Sequence, residues 1–573
     1  MKLVEIKIKN IRGIRSLDLP LGNLTVLIGE NNTGKSTVLE AIRLVLSRGF
    51  GVRRGGQFTE YDFHLKDADA TPQTAEPISI TLHFAEEQEG EWPDAVVQQM
   101  SEVIQLDMTA GLNHIWLQAK GAFQAESASF ETKWVFLNSG GTELVLKNAT
   151  PLNLISRFAP LFFLSALRDA SQEFGQRGQF WSGFLKTIQL PDEQREKIEE
   201  MLREVNTSVI GANAGLTEVT KKIADARRLV PLDAADPVAL EAIPTRVFDM
   251  VGKIQVYLKS SQGAKLPLHR HGEGTQSLAV LMLFQAFAAA NLAEAYAPES
   301  EPILALEEPE AHLHPSAIRS LGSFLEKMTG QILVTSHSGD LVSRVPVMAL
   351  RRLYKKNGET RIGKIEQTTM TPDEKRHFDY HVRVTKGTHF FARCWLLVEG
   401  QSEFWLFPRI ASLMNAVIDE KNFAIIEFSQ GGGPPPFIKA AKALGIEWFV
   451  VADGDDAGAN YIKAAKKCLD ANEQEVEHMF QLSSKDLEHE FWLAGYDDVY
   501  TSAVKSSDLT SLQNQHAANS PEYIKAVINK AISRFSKPEL AFEVAAEIEN
   551  RGVQTLPQSI RDIITRVVQL AGG

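Results

Sequence analysis

Gly29-Glu30-Asn31-Asn32-Thr33-Gly34-Lys35-Ser36-Thr37 is a G-x-x-x-x-G-K-S loop. An apolar run that ends at Ile28 precedes it, and apolar residues recur at helical spacing after it. In such a loop backbone N–H groups converge on phosphate oxygens, the lysine reaches the terminal phosphates, and the next hydroxyl holds Mg²⁺. The pattern predicts a P-loop ATPase. The predicted nucleotide-binding residues are Gly29, Asn31, Asn32, Gly34, Lys35, Ser36 and Thr37, and Ser36 is also a predicted ligand of Mg²⁺.

The composition is that of a folded protein with several domains. With 573 residues, of which 44% are hydrophobic and 23% charged, the chain has room for about three or four domains. It has no apolar signal-like segment at its start and no run approaching ~18 apolar residues, which predicts a cytoplasmic protein that does not enter the membrane. Cys394 and Cys468 are too few for a disulfide framework.

Two segments concentrate basic residues although the net charge is −12. Affinity for nucleic acid depends on local Lys and Arg, so both segments are candidate DNA contacts, while a solvated surface is the commoner role of such clusters. The first contains Arg351, Arg352, Lys355, Lys356, Arg361, Lys364, Lys375 and Arg376, and the second contains Lys221, Lys222, Arg227 and Arg228.

The order of patterns predicts an α/β protein in which a helical insertion divides an ATPase and a second α/β domain follows. We assign 1–165 to the first part of the ATPase, 166–259 to the insertion, as a dimerisation arm, and 260–365 to the second part of the ATPase. A basic linker then spans 366–389, and 390–573 forms the second α/β domain with a helical C-terminal part. At the start of the insertion, Arg168 is a candidate to approach the nucleotide, with an ion pair to Asp169 as the competing explanation.

Further ATPase motifs follow the insertion. Gly272 and Gly274 open a long apolar helix where ABC-type ATPases carry their signature loop, which completes the nucleotide site of a partner subunit. The apolar strand 303–306 leads into Glu307, a predicted Mg²⁺ ligand, and Glu308, predicted to orient or deprotonate the attacking water. His337 follows another apolar strand and is predicted to sense the γ-phosphate. This order predicts an ABC-type ATPase in which two subunits enclose ATP, as a homodimer or a higher homo-oligomer.

A second set of acids lies in the C-terminal half. Glu399 and Glu403 follow the apolar strand 394–398, and Asp453 and Asp455 follow the strand 448–452. The carboxyl ends of parallel strands meet at one edge of a sheet, so these acids are expected to converge there. Crowded carboxylates stay ionised only near cations, and oxygen ligands suit Mg²⁺ or Mn²⁺.

The V-E-G-x-S-E pattern at 398–403 with D-x-D at 453–455 resembles the Toprim domain of topoisomerases, primases and certain nucleases. Together with E-E-P-E-A-H-L-H-P at 307–315, essentially the whole chain resembles the OLD (overcoming lysogenization defect) family of ATP-dependent nucleases. The resemblance implies that Glu488, in Asp486-Leu487-Glu488, is a further metal ligand and that Lys537 neutralises charge on the phosphate. It also implies two metal ions and phosphodiester hydrolysis. The implied catalytic residues are Glu308, Glu399, Asp453, Asp455 and Lys537, and the implied metal ligands are Ser36, Glu307, Glu399, Glu403, Asp453, Asp455 and Glu488.

The leading hypothesis is therefore an ATP-regulated, metal-dependent DNA endonuclease or nickase in anti-phage defence, working alone or with a helicase or another defence partner. The alternative is an ATP-switched DNA-binding or repair ATPase whose Toprim domain is a sensor with little cleavage. A topoisomerase would need a tyrosine nucleophile on a DNA-gripping domain. Tyr496 and Tyr500 follow the Toprim core, but no such domain is evident, so water is the expected nucleophile.

Overall fold

A computed structural model describes the fold of the chain. The described residues are 1–46, 58–67, 69–126, 129–147, 150–165, 190–225, 241–247, 249, 256–259, 263, 265–290, 296–385 and 387–572. The candidates Arg168, Arg227 and Arg228 lie outside these ranges, as do the side chains of Lys221 and Lys222.

The secondary structure alternates strands and helices over most of the chain. The strands are β1 Lys2–Ile11, β2 Ile14–Pro20, β3 Leu24–Gly29, β4 Ile78–Ala85, β5 Gln105–Leu106, β6 Asn113–Gln124, β7 Ser129–Leu137, β8 Leu161–Leu164, β9 Tyr257–Lys259, β10 Lys265–Pro267, β11 Ile303–Glu307, β12 Gln331–Thr335, β13 Leu350–Lys356, β14 Glu359–Gly363, β15 Cys394–Val398, β16 Phe423–Glu427, β17 Glu447–Ala452 and β18 Met479–Gln481.

The α-helices are Lys35–Leu46, Asp94–Gln99, Thr150–Phe158, Asp192–Gly211, Ala214–Asp225, Glu273–Ala290, Pro315–Leu325, Gly339–Val342, Pro372–Thr385, Gln401–Leu413, Ile418–Lys421, Pro435–Leu444, Asp456–Lys466, Glu475–His478, Leu487–Phe491, Asp497–Ser502, Ser506–Gln515, Pro521–Arg534, Lys537–Arg551 and Gln558–Leu570. Short 3₁₀ or π turns occupy Glu60–Asp62, Leu268–Arg270, Val347–Ala349, Thr388–Phe391, Ser429–Gly431, Trp492–Tyr496 and Val553–Thr555.

The N-terminal sheet is antiparallel, in the order β2-β1-β4-β6-β5, with β7 paired to β6. Its first strand alternates buried Ile6 and Ile8 with exposed Lys7 and Lys9, the pattern of a strand with one face on a core and one in water. This sheet covers one side of the nucleotide-binding sheet through a shared apolar core that includes Leu27 and Val38.

The nucleotide-binding sheet has the order β14-β13-β3-β12-β11-β8. Its strands β13, β3, β12, β11 and β8 run parallel, and β14 is an antiparallel edge. Nearly every residue of β3, β11 and β12 is buried, as parallel strands covered on both faces require. The carboxyl ends of these three strands carry the P-loop, Glu308 and His337, so the sheet brings the predicted ATPase motifs to one edge.

The predicted insertion contains helices Asp192–Gly211 and Ala214–Asp225. Met201, Val205 and Val209 are each more than 40% exposed on the first of these helices. Their four-residue spacing places them along one face, so an apolar stripe faces outward on this helix.

The C-terminal sheet has the order β16-β15-β17-β18, and all of its strands are parallel. Helices Gln401–Leu413 and Lys537–Arg551 pack against each other beside it. Tyr496, Tyr500 and Tyr523 help to fill the core between this sheet and the C-terminal helices. None of the described helices is long and apolar enough to cross a membrane.

The nucleotide-binding and C-terminal sheets share one apolar core. Val26 and Ile28 of β3 belong to the same buried cluster as Trp395 and Leu397 of β15. A buried cation, Arg352 on β13, reinforces this junction and is only 2% exposed.

Arg352 donates hydrogen bonds to carbonyl groups at the ends of two helical segments. Its Nε bonds Phe390 O at 3.1 Å and its Nη2 bonds Ala392 O at 2.8 Å, at the end of the 3₁₀ turn Thr388–Phe391. Its Nη1 bonds Leu444 O at 3.3 Å and Gly445 O at 3.0 Å, at the end of helix Pro435–Leu444. Helix C-termini leave carbonyl groups unpaired and carry partial negative charge, so this arginine satisfies both ends at once.

The expectation that the basic segment contacts DNA is wrong for Arg351 and Arg352. Both are buried, and Arg351 donates to the carbonyls of Pro20, Met348 and Leu350. Arginine's fixed donors suit such carbonyl clusters, so these two residues serve the fold.

We expect Arg352→Ala to lower the free energy of unfolding by about 2–4 kcal/mol, because it leaves several buried carbonyl groups without a donor. The measurement is the first transition in urea unfolding, followed by tryptophan fluorescence, since Trp395 and Trp448 lie in the junction core. Arg361→Ala is the control, because that side chain is 59% exposed on β14 and its loss should cost about 0.5 kcal/mol or less. Equal effects of the two substitutions would contradict the role given to Arg352.

Candidate active sites

The P-loop has the backbone shape that a phosphate cradle needs. Gly29 and Gly34 have φ angles of 144° and 103°, which favour glycine. A Cβ atom at Gly29 would also lie 2.1 Å from Leu353 O. The loop leads directly into helix Lys35–Leu46, whose first N–H groups can bind an anion.

Lys35 points into its own loop. Its Nζ donates to Gly29 O and to Glu30 O, both at 2.8 Å, and burial lowers the pKa of Lys35 to about 8. A bound phosphate would offer Lys35 a charged acceptor. To reach the phosphate, Lys35 would have to release these two carbonyls. Ser36 is exposed at the start of the helix, where its hydroxyl is accessible to a metal ion.

The acids after β11 lie beside the end of β12. Glu307 is paired with Thr335 in the parallel ladder, and the backbone N–H of Glu308 donates to Thr335 O at 3.0 Å. His337 Nε2 lies 3.7 Å from Glu308 Oε1. Burial and the charge of Lys35 lower the pKa of His337, which favours its neutral form. The structure thus brings Glu307, Glu308 and His337 to the edge that carries Lys35.

Glu310, which the sequence did not single out for this site, fixes the loop that carries His337. One of its carboxylate oxygens accepts from Ser336 Oγ at 2.6 Å and from His337 N at 2.9 Å. Burial raises the pKa of Glu310. The loop after β12 is therefore tied to the loop after β11, which couples the loops that carry His337 and Glu308.

The signature-like residues pack on the loop after β11. Gly272 precedes helix Glu273–Ala290 and Gly274 lies in its first turn. A Cβ atom at Gly274 would lie 2.6 Å from His312 O. His312 Nδ1 is 2.9 Å from Glu273 Oε2, and His314 caps the next helix.

The C-terminal acids converge as predicted by the parallel sheet. β15 ends at Val398 and β17 ends at Ala452 as its neighbour, so Glu399 and Asp453 emerge side by side. The backbone N–H of Asp453 donates to Glu399 Oε2 at 3.0 Å. A Cβ atom at Gly458 would lie 2.0 Å from Asp453 O, so only glycine lets the following helix start this close to the strand.

Asp455 has a second role in this turn. It caps helix Asp456–Lys466, and its Oδ1 accepts from the N–H groups of Ala457 and Gly458, both at 2.9 Å. Its other carboxylate oxygen has no part in those two bonds and is available for a ligand.

Glu403, Glu488 and Lys537 complete the cluster from three helix starts. Glu403 and Glu488 are buried. Ser402 Oγ donates to Glu488 Oε1 at 2.6 Å, and Lys537 Nζ lies 3.3 Å from the same oxygen. Lys537 is thus a helix-start residue whose amino group faces the acids.

Electrostatic crowding marks the cluster. Burial, with the neighbouring carboxylates of Glu403 and Glu399, raises the pKa of Asp453 well above its ordinary range. Burial and the charge of Glu488 raise the pKa of Glu403. Although burial alone would lower the pKa of Lys537, the charges of Glu488 and Glu403 raise it. Several raised pKa values gathered at one edge of a sheet are typical of functional sites.

Known families match both parts of this chain. The family described as "Protein of unknown function (DUF2813)" matches residues 1–388, and "Overcoming lysogenization defect protein-like, TOPRIM domain" matches residues 390–455. The chain belongs to the DUF2813 family and carries an OLD-like Toprim domain. The predicted OLD resemblance is confirmed, and so is the fold class of an ABC-type ATPase followed by a Toprim domain.

Several relatives align with most of this DUF2813 chain. "Uncharacterized protein YbjD" of Escherichia coli K12 is 28% identical over 100% of both chains. "OLD nuclease" of Thermus scotoductus is 25% identical over 79% of this chain and 82% of its own, and "Endonuclease GajA" of Bacillus cereus is 21% identical over 79% and 75%. Among solved structures, the C-terminal region of the Burkholderia pseudomallei OLD protein matches with a TM-score of 0.28 and 20% identity, over 32% of this chain and 99% of that one.

The Toprim cluster fits divalent cations chemically without being a preformed cage. Asp453 Oδ1 and Glu488 Oε2 are buried without a hydrogen-bond partner, and unpaired buried carboxylate oxygens call for a cation. Among the described residues, however, no three His, Cys, Asp or Glu side chains are already arranged around a metal position. Glu399, Glu403, Asp453, Asp455 and Glu488 would hold Mg²⁺ or Mn²⁺ after side-chain rotations that bring their oxygens together.

The tyrosines near the Toprim core are not accessible nucleophiles. Tyr496 and Tyr500 are at most 2% exposed, and Tyr496 Oη lies 2.5 Å from Thr555 Oγ1. Burial raises the pKa of Tyr500. This supports the expectation that water, and not tyrosine, is the nucleophile.

Sequence patterns missed three other polar residues of these sites. Ser402 orients Glu488, and Arg393 pairs with Glu30 of the P-loop across 363 positions of the chain. The letter S in V-E-G-x-S-E was a usable signal for Ser402. No local pattern marks Glu30 or Arg393, because their partnership exists only in the folded chain.

We expect Mn²⁺ or Mg²⁺ at about 100 times its dissociation constant to stabilise the wild-type protein by about 2.7 kcal/mol, a rise of roughly 5–10 °C in the melting temperature of a Toprim-sized domain. Asp453→Asn should lose this rise, because it removes a ligand. It should also melt higher than the wild type without metal, because it relieves carboxylate crowding.

Differential scanning calorimetry with and without chelator is the measurement. Asp456→Asn is the matched control. Asp456 is an exposed acid at the start of helix Asp456–Lys466, which follows Asp453, and its substitution should keep the metal response. A full metal response in Asp453→Asn would remove Asp453 from the ligand set.

Proposed function

We propose that this protein is an ATP-regulated, metal-dependent DNA endonuclease or nickase. The observation that carries the proposal is the convergence of Glu399 and Asp453 with the buried Glu403 and Glu488 and with Lys537 at one edge of the Toprim sheet. Relatives named as nucleases support it. Bound divalent ions would activate the attacking water and stabilise the leaving oxygen.

The chain's own residues define the rest of this chemistry. Glu399 accepts the backbone N–H of Asp453, which holds the two acids in register. Ser402 and Lys537 approach the same oxygen of Glu488, which leaves its buried second oxygen for a metal ion. Lys537 can turn from Glu488 towards a phosphate, because its side chain is 40% exposed, and so neutralise charge in the transition state.

The nucleotide part of the proposal rests on the P-loop edge. Lys35, Ser36 and Glu307 would hold ATP and its Mg²⁺, and Glu308 with His337 would meet the γ-phosphate. Gly272 and Gly274 would complete the site of a second subunit, so we propose a homodimer or a higher homo-oligomer. Anti-phage defence, with or without a helicase partner, is the proposed setting, because nucleases of the OLD type are its relatives.

The alternative is a DNA-binding or repair ATPase whose Toprim domain senses a ligand without cutting. It is favoured by one observation, namely that the acids are not yet arranged around a metal position in the described part of the chain. Nicking of plasmid DNA separates the two functions.

We expect the wild type to nick supercoiled plasmid with Mg²⁺ or Mn²⁺, and Glu399→Gln to lose about 10³-fold or more of the rate, the scale of losing a group that stabilises the transition state. Lys35→Ala should remove the change in rate that ATP causes. Glu427→Gln is the matched control, because Glu427 ends the neighbouring strand β16 and bonds Ser429. A Glu399→Gln protein that nicks at the wild-type rate would refute the site, and a wild type that cuts under no condition would favour the sensor.

We expect Glu308→Gln with ATP to run as a dimer or larger assembly in size-exclusion light scattering. Removing the carboxylate that activates water slows hydrolysis, so the ATP-bound state persists. Lys35→Ala, which loses its phosphate contact, should not respond to ATP in the same measurement. A monomer in all conditions would show that two subunits do not enclose the nucleotide.

A further inference from the structure

An ion pair joins the P-loop directly to Arg393, the residue that precedes strand β15 of the Toprim sheet. Arg393 Nε donates to Glu30 Oε1 at 2.6 Å, and its Nη2 donates to Glu30 Oε2 at 2.7 Å. Parallel bonds of this kind fix the relative orientation of the two groups as well as their distance. Arg393 lowers the pKa of Glu30 and Glu30 raises that of Arg393, so both are charged at neutral pH.

The Glu30 end of this pair is hydrogen-bonded to the lysine of the P-loop. The carbonyl of Glu30 accepts hydrogen bonds from Lys35 Nζ and from Thr33 Oγ1, both at 2.8 Å. When Lys35 turns to a phosphate, the Glu30 peptide loses its charged donor. A nucleotide also brings several negative charges beside the Glu30 carboxylate. Both effects change the position that the Glu30 side chain prefers.

The Arg393 end is built into the strand that delivers Glu399. The backbone N–H of Arg393 donates to Asn422 O, and its carbonyl accepts from Glu447 N. These bonds begin the pairing of β15 with β16 and with β17. A shift of Arg393 therefore acts on the central strands, at whose other ends Glu399 and Asp453 lie.

The pair is suited to change because it is not what holds the domains together. The side chains of Arg393 and Glu30 are 47% and 33% exposed, and they border a cavity of about 590 Å³ that gives them room to move. The shared apolar core and the buried Arg352 remain when the pair opens. An exposed ion pair of this kind is worth about 0.2–1 kcal/mol, a factor of about 1.5–5 in an equilibrium constant.

We propose that the Glu30–Arg393 pair transmits the nucleotide state of the P-loop to the acidic centre of the Toprim domain. Arg393 is a positioning residue, since it acts through β15 and not on the substrate. The coupling is reciprocal, so metal binding at the acidic centre also changes nucleotide affinity. The inference rests on the proposed function only where DNA cleavage is the readout.

Hydrogen–deuterium exchange of the segment 393–399 tests the coupling without DNA. The probe is the non-hydrolysable β,γ-imido analogue of ATP at saturation, confirmed for each variant by direct binding. We expect the analogue to change exchange in this segment of the wild type and not in Arg393→Gln. Arg393→Lys keeps the charge and loses the two parallel bonds, so it should give an intermediate response. It also serves as a second test in case the glutamine variant does not fold.

Lys356→Gln is the matched control. Lys356 Nζ lies 3.9 Å from Glu447 Oε1, so this pair joins the same two domains beside the same cavity without touching the P-loop. It should respond to the analogue as the wild type does. In plasmid nicking, the ratio of rates with and without nucleotide should move about two- to fivefold towards one in Arg393→Gln and stay unchanged in Lys356→Gln.

The outcomes separate this inference from the proposed function. A wild-type segment that ignores the analogue, or an Arg393→Gln protein that responds fully, overturns the coupling. Loss of the response in both Arg393→Gln and Lys356→Gln also overturns it, because the junction as a whole would then carry the signal. A coupling seen in exchange, with no cleavage by the wild type, keeps the inference and rejects the nuclease.

Discussion

The burial of Arg352 is the constraint on which the joint arrangement of the two active sites depends. Removing a guanidinium from water is costly, and among the described residues no carboxylate pairs directly with it. The cost is offset by carbonyl groups from two helical ends, whose partial negative charges point at the same place. Because Arg352 lies on β13, next to the P-loop strand, this contact fixes the Toprim sheet relative to the ATPase sheet.

The two sites follow one structural rule and have opposite electrostatics. In both, parallel strands deliver polar residues to the carboxyl edge of a sheet, and a glycine such as Gly29 or Gly458 lets the backbone close in. The ATPase edge has a lysine bonded to carbonyl acceptors, whereas the Toprim edge buries and crowds carboxylates, which raises the pKa of Asp453 and of Glu403. The first edge presents a cation and the second a group of carboxylates, which is consistent with a nucleotide and divalent metals as their ligands.

The sequence predicted the parts of this structure that are local. The P-loop, the acids after β11 and the acids after β15 and β17 each follow an apolar run, so their positions at strand ends could be derived from spacing alone. The burial of Arg351 and Arg352 could not be derived from the sequence, because a basic cluster has the same composition whether it faces water or satisfies buried carbonyls. The Glu30–Arg393 pair was equally invisible, since it joins positions 363 residues apart. The cap formed by Asp455 shows the same limit, because a D-x-D pattern does not reveal which oxygen the following helix will use.

The distribution of contacts at the junction also limits how ATP can act on the Toprim domain. Opening the junction would expose an apolar core that contains Trp395 and Trp448 and would leave the carbonyl partners of Arg352 unpaired, at about 1–3 kcal/mol for each group that stays buried. The half-exposed pairs Glu30–Arg393 and Lys356–Glu447 are worth about 1 kcal/mol or less each, so they can rearrange without that cost. Communication between the sites is therefore expected to proceed by small shifts of β15 while the shared apolar core stays closed, and not by separation of the domains. Shifts of this size are sufficient, because a metal centre that is not preformed needs only rotations of Asp453 and Glu488 to bring their unpaired oxygens to a cation.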